Sequence, residues 1–167
     1  LPGYSTGRAT LETINKAMEL GGNDTEYILF DPLGQTLVWL YKNDQASKDD
    51  VRKSFIKATE ILDHNIENNA KYKAQYEASK ANMNAHISAI ESEVFDCQYF
   101  KDDLLPKFEE NKDNYDVVDY IFKKLVSQGC GDTDPEVVRV GEVRDELYAS
   151  IRAARIDSLR DFDPYLD

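Results

Sequence analysis

Residues 97–130 read CQYFKDDLLPKFEENKDNYDVVDYIFKKLVSQGC, and this stretch is the strongest indication of fold class in the chain. Apolar residues recur every three or four positions on both sides of a polar segment at 111–114, which predicts an antiparallel helical hairpin. Gly129 marks the end of the second helix, and Pro106 predicts a kink in the first helix or a late start of it. The apolar positions are Phe100, Leu104 and Phe108, then Val117, Val118, Ile121, Phe122 and Leu125.

Two cysteines, Cys97 and Cys130, stand at the outer ends of this hairpin. Each helix of about 14 residues is ~21 Å long, so the start of the first helix lies beside the end of the second. We therefore predict a Cys97–Cys130 disulfide, which requires Cα atoms within ~7 Å and implies an oxidising compartment such as the periplasm. The alternative is a pair of free, half-buried thiols in a reducing cytoplasm. Neither cysteine has a histidine near it in sequence, so a catalytic role is not expected.

Helical spacing continues on both sides of the hairpin, and no short stretch alternates convincingly with period two. The chain is therefore predicted to be all-α, with about seven helices in antiparallel hairpins and one apolar face on each helix. Residues 69–94 are expected to form a long helix, either separate from the preceding helix or fused to it. The apolar face of the last helix is predicted to comprise Val140, Val143, Leu147, Ile151 and Ala154.

Capping and breaking residues give the expected helix boundaries. The signals are a cap at Ser5 or Thr6, a stop at Gly21-Gly22, a start near Asp24 or Thr25, a cap at Ser47 followed by Asp49 and Asp50, a break at Asn68-Asn69, and a start at Asp134-Pro135-Glu136. We interpret residues 1–160 as a single helical domain and residues 161–167 as an acidic tail or linker.

The composition limits the classes of function. The chain has 167 residues, with 32 acidic residues against 20 basic ones and a net charge of −12. Phosphates of nucleic acids and anionic lipid surfaces repel such a chain, so general affinity for either is not expected. No apolar run approaches the ~18 residues that a membrane-spanning helix needs.

The residues that commonly carry catalysis or metal binding are sparse. His64 and His86 would lie ~33 Å apart on one helix, so we interpret them as surface or packing residues. Residues 132–136 (DTDPE) resemble the opening of a calcium loop, but Val137 and Val143 occupy the positions where glycine and glutamate are required. Three pairs of adjacent carboxylates occur, at Asp49-Asp50, Asp102-Asp103 and Glu109-Glu110. Adjacent side chains on a helix point in different directions, so the two carboxylates of a pair do not converge on one site as acid–base catalysis requires. We expect no catalytic residues, no metal and no cofactor.

The chain contains ten tyrosines, and tyrosine is frequent at protein-binding surfaces. Its large apolar ring and polar hydroxyl also make it a common packing residue. Tyr72 and Tyr76, one turn apart on the predicted long helix, are our candidates for partner contact.

The predicted helices that begin near Gln98 and Asp134 are offset by about one tetratricopeptide period of 34 residues, although an ordinary helical bundle fits equally well. Several short segments stand in a characteristic order: 7–9 (GRA), 29–41 (LFDPLGQTLVWLY), 61–63 (ILD), 96–97 (DC), 105–108 (LPKF) and 128–130 (QGC). Over residues 7–147 the chain resembles a family of degenerate bacterial tetratricopeptide-repeat proteins of the cell envelope. It departs from that pattern at 65–94 and after Ala149.

The resemblance implies a TPR-like α-solenoid that is part of a longer chain and carries no established catalytic residues. The function that we expect is a non-catalytic scaffold, periplasmic or in the cell envelope, that binds a partner protein through stacked hairpins. The alternative is a structural subunit of a large secretion or motility assembly, with the 69–94 helix as an assembly element. A third class, an enzyme that uses clustered carboxylates, has the least support.

Overall fold

The structure, a computed structural model, describes residues 7–21 and 30–162. Within these ranges it has seven α-helices, a short 3₁₀ segment at Ala70–Tyr72 and no β-strand, which confirms the predicted all-α class and helix number. The helices are α1 (Gly7–Gly21), α2 (Phe30–Lys42), α3 (Lys48–Asn68), α4 (Lys73–Ser92), α5 (Cys97–Glu110), α6 (Tyr115–Ser127) and α7 (Pro135–Phe162).

Short polar side chains begin several of these helices, as predicted. The Ser47 hydroxyl accepts a hydrogen bond from the Asp50 N–H at 3.1 Å, and the Asp134 carboxylate accepts one from the Glu136 N–H at 2.9 Å. After α6, Gly129 has a φ of 78°, the left-handed conformation that glycine adopts at little cost. The predicted signals at Ser5, Thr6, Gly22, Asp24 and Thr25 lie outside the described residues.

Two ambiguities in the sequence are resolved. Helix α3 ends at Asn68, and α4 is a separate helix after the 3₁₀ segment. The late start predicted from Pro106 is wrong, because α5 begins at Cys97 and includes the proline. Pro106 and Asp102 both lie on the exposed side of α5, where water can bond the Asp102 carbonyl that loses its helical donor.

Ion pairs along α3 and α4 show that these helices run antiparallel. Arg52 near the start of α3 pairs with Glu91 near the end of α4 at 2.7 Å. Toward the other end of the hairpin, Asp63 pairs with Lys80 at 2.5 Å. The disulfide-linked ends of α5 and α6 form a second hairpin, so the predicted antiparallel arrangement is present in these segments. Whether the hairpins form a TPR-like solenoid stays a prediction.

Helix α4 lies at the centre of the fold and contacts a hydrophobic cluster on each side. Ala78, Ala81 and Ala85 belong to a cluster with α5, α6 and α7. Tyr76, Met83 and Ile90 belong to a cluster with α1, α2 and α3. The prediction of one apolar face per helix is therefore wrong for α4, since a helix between two layers must pack on opposite sides.

Helix α7 is the longest helix, and its second half extends beyond the other described helices. Val140 is buried as predicted, but Ile151 and Ala154 are exposed. The prediction that the apolar stripe continues into the core through Ala154 is therefore wrong. Helix α6 has 13 residues and α7 has 28, so α6 covers only the first part of α7. Helix α7 includes Asp161 and Phe162, and residues 163–167 lie outside the described residues.

Gly34 on α2 allows close packing against the ring of His86. A Cβ atom at Gly34 would lie 2.7 Å from His86 Nε2, and this ring is held between Phe55 and Phe100. We expect Gly34→Ala to lower the free energy of unfolding by about 1–3 kcal/mol, measured by urea denaturation. Gly131→Ala is the matched control, because its Cβ would meet nothing closer than 3.8 Å. Equal stability of the two variants would contradict the prediction.

Candidate functional site

The two cysteines lie together at the open end of the α5–α6 hairpin. Cys97 is the first residue of α5, and Cys130 follows α6 after the Gly129 turn. Their sulfurs are at disulfide-bonding distance and their Cα atoms are 5.2 Å apart, within the range that a disulfide requires. Cys130 is buried and its N–H donates to the Leu125 carbonyl, so the backbone holds the sulfur in place.

The two tyrosines chosen as partner contacts differ in exposure. Tyr76 is 1% exposed and packs in the cluster formed with α1, α2 and α3, so it is not available to a partner in this fold. That part of the prediction needs correction, because α4 buries the side of the helix that Tyr76 occupies. Tyr72 is half-buried, and its ring contacts Tyr76 edge-on at 6.5 Å between centroids.

The two histidines lie in different environments. His64 is on the exposed side of α3. His86 is buried in α4, where its ring stacks on Phe55 at 5.1 Å and meets Phe100 edge-on at 4.9 Å between centroids. Burial, with a smaller contribution from the charge of Lys124, lowers the His86 pKa to about 3. The ring is therefore neutral at physiological pH.

A stripe of polar residues along α4 was missed in the sequence, although its spacing of four, three and four residues is readable. Gln75, Ser79, Asn82 and His86 are all buried. Within the described part of the chain, the Ser79 hydroxyl, both amide atoms of Asn82 and His86 Nδ1 have no hydrogen-bond partner. Each unsatisfied buried group costs about 1–3 kcal/mol, so α4 contributes less stability than its burial suggests.

The acids that resembled a calcium loop have a structural role. Asp134 caps α7 and also pairs with Lys101 of α5 at 2.6 Å. Lys101 contacts Glu136 as well, at 3.2 Å. Hydrogen bonds to Asp134 and then Glu136 raise the pKa of Lys101, and the bond from Lys101 lowers the pKa of Asp134. These ion pairs join the start of α7 to α5. Among the described residues, no group of three side chains is placed to hold a metal ion.

The paired carboxylates have different neighbours. Glu109 pairs with Lys112 and Arg139, and these hydrogen bonds lower its pKa. Partial burial and then the charge of Asp102 raise the pKa of Asp103. Asp50 lies in the first turn of α3, where its negative charge interacts favourably with the positive end of the helix dipole. The described contacts of Glu109 and Asp50 are those of ion pairing and helix stabilisation.

An open groove lies between the α5–α6 turn and the second half of α7. The α7 extension, defined as residues 149–162, forms one wall, and residues 111–116 form the other. Tyr115 and Tyr148 contact each other at its inner end, 5.9 Å apart between ring centroids. The exposed fractions of Ile151 and Leu159 are 43% and 49%, which is high for large apolar side chains. This groove is the best candidate for a binding surface.

The α7 extension was not predicted to be an exposed surface, although its apolar residues and arginines are visible in the sequence. Of the helices described, none is long and apolar enough to cross a membrane.

The resemblance to degenerate tetratricopeptide-repeat proteins stays a prediction. Comparison of the chain with known protein families, with curated proteins and with solved structures finds no match.

Proposed function

We propose that this chain is a non-catalytic protein–protein interaction scaffold of the bacterial cell envelope, which binds a partner protein through its stacked helical hairpins. The observation that carries the proposal is the exposed apolar surface of the α7 extension. Phe162 is 87% exposed, and Ile151 and Leu159 are about half exposed on the same helix. Large apolar side chains that are exposed on one helix in this way are typical of sites where another protein packs.

The cysteine pair is the basis for the cellular compartment that we propose for this protein. Structural disulfides persist in oxidising environments and are rare in a reducing cytoplasm. The bonding distance between Cys97 and Cys130 is compatible with a periplasmic or other extracytoplasmic location. The resemblance to exported repeat proteins supports the same location.

The alternative function is a structural subunit of a large secretion or motility assembly, in which residues 69–94 would be an assembly element. In the structure α4 is buried between two hydrophobic clusters, so it presents little surface to a neighbouring subunit. The α7 extension is the more accessible surface.

Site-specific photo-crosslinking in the native cell envelope tests the scaffold function. We expect a photoreactive amino acid at Ile151 to give a discrete cross-linked product with another polypeptide, because this side chain lies in the open groove. The same group at Glu67, an exposed position at the end of α3, is the matched control and should give no such product. Absence of any product specific to position 151 would refute the proposal.

A further inference from the structure

Helix α2 covers the ring of His86. The backbone of α2 at Gly34 lies so close to the imidazole that an added Cβ atom would be 2.7 Å from Nε2. Gln35 and Trp39 are exposed, so α2 has the buried ring on one side and solvent on the other. One helix, at a position without a side chain, therefore separates this titratable group from water.

Contacts at the last turn of α2 give its direction and its anchor. The Tyr41 hydroxyl donates a hydrogen bond to Glu93 at 2.8 Å, and Lys42 Nζ lies 4.2 Å from the centre of the Phe95 ring. The contact of Gly34 with His86 and that of Tyr41 with Glu93 both join residues 52 positions apart, so α2 runs parallel to α4. Helix α2 is thus anchored beyond the end of α4 and crosses the ring about two turns earlier.

The two helices that supply the phenyl rings around His86 are held more firmly. Helix α3 is joined to α4 by the ion pair of Arg52 and Glu91, and α5 is joined through Cys97 to Cys130 after α6. Helix α2 has 13 residues, against 21 in α3 and 14 in α5. Displacement of α2 is therefore the route to water that disturbs the least of the core.

The closed site is unsuited to a charged imidazole. Phe55 and Phe100 hold the ring, Lys124 of α6 adds a positive charge, and Nδ1 has no hydrogen-bond partner among the described residues. A phenyl ring attracts a cation, but this attraction is smaller than the cost of removing the charge from water. Protonation therefore favours any movement that brings the ring to solvent.

The acids and bases next to these contacts in sequence have other partners or positions. Lys57 pairs with Glu19, Lys101 pairs with Asp134, and Asp103 lines a separate groove with Asp63 and Lys80. On α2 itself, Asp31 precedes Gly34 by three residues and is the acid that needs its own control.

We propose that α2 is a lid over His86 that lifts from α4 in acid and pivots at its Tyr41 end, because a charged imidazole cannot remain between two phenyl rings and beside Lys124. The lid is a pH-sensitive device within the fold, and it does not depend on the proposed scaffold function. Its opening gives water access to the buried ring while the disulfide-linked α5–α6 hairpin stays in place.

The pH range follows from the two states of the ring. The pKa of His86 is about 3 when the ring is covered and near 6.5 in water, so the open form binds the proton more readily. The opening equilibrium therefore rises as the pH falls below ~6.5 and stops rising near pH ~3. Between pH 7 and pH 5 it should increase about 25-fold.

Hydrogen exchange of the native protein, followed by NMR, measures this opening as amide protection factors. We expect the amides of Leu37 and Leu40 in α2 to be less protected than those of Leu104 and Ile121, and to lose about 25-fold of their protection between pH 7 and pH 5. Equal protection of the two groups at every pH would overturn the proposal, because α2 would then separate only when the whole protein unfolds. Protection of α2 that does not change with pH would also overturn it.

Variants identify the group that responds to acid. His86→Leu should abolish the pH dependence of α2 protection, whereas His64→Leu and Asp31→Asn should retain it. If His86→Leu does not fold, His86→Phe replaces it, and the comparison of α2 with the α5–α6 hairpin in the wild-type protein tests the lid without any variant. A pH dependence that persists without His86, or that disappears with Asp31→Asn, would overturn the proposal.

Discussion

Loss of the Cys97–Cys130 disulfide is expected to lower the free energy of unfolding by about 3–4 kcal/mol. The bond links residues 33 positions apart, and opening it increases the conformational entropy of the unfolded chain. Urea denaturation of the oxidised protein and of a Cys97→Ala/Cys130→Ala variant measures the difference.

Chemical reduction of the disulfide provides the control for this experiment. The chain contains two cysteines, so dithiothreitol should destabilise the wild-type protein and leave the double variant unchanged. If oxidised and reduced wild-type protein unfold at the same urea concentration, the bond does not form in the folded protein or does not stabilise it. The free-thiol alternative would then describe the protein.

Acidification is expected to destabilise the fold through His86. Its pKa is about 3 in the folded protein and about 6.5 when unfolded, so the unfolded chain binds the proton more readily. The contribution of the neutral ring to the free energy of unfolding is fully present above pH ~6.5 and is lost progressively as the pH falls toward ~3. Over this whole pH range the free energy of unfolding falls by roughly 4–5 kcal/mol, at about 1.4 kcal/mol per pH unit.

The measurement is the free energy of unfolding between about pH 6.5 and pH 5, above the range where most carboxylates titrate. His86→Leu should flatten the pH dependence in this window. His64→Leu is the matched control, because it removes a histidine from the exposed side of α3 and keeps the buried ring. A wild-type slope in the His86→Leu variant would show that the buried histidine does not cause the acid sensitivity.

The α5–α6 hairpin could be predicted in detail because its signals are local. Phe100, Leu104 and Phe108 face the core, Asn114 caps α6 through the Val117 N–H, and the cysteines meet at the open end. Each of these features depends on residues close in sequence or on the length of one helix. Local signals of this kind also identified the cap at Ser47 and the break after Asn68.

The central position of α4 could not be predicted from periodicity. A helix that is buried on two sides has no strong single apolar face, and its contacts in one cluster are made by small alanines. Its other buried positions include Asn82 and His86, which are usually found at the surface or half-buried. Tyr76 was consequently assigned to a contact surface, although it packs in the core.

The exposure of the end of α7 could not be predicted for a different reason. The apolar spacing through Ile151 is real, but periodicity identifies a face that is suited to burial and does not identify the neighbour that buries it. The neighbour depends on where α6 begins, which is a property of the preceding turn.

The position of α4 also restricts how this architecture can be altered by duplication or truncation. In a repeat array each unit contacts only its neighbours through equivalent interfaces, so a unit can be gained or lost while the remaining units keep the same kind of contacts. Here both clusters share one helix, and neither α1–α3 nor α5–α7 contains a closed hydrophobic interior without it. Removal of α4 would therefore expose both clusters at once, so the two halves of the fold depend on each other through this helix.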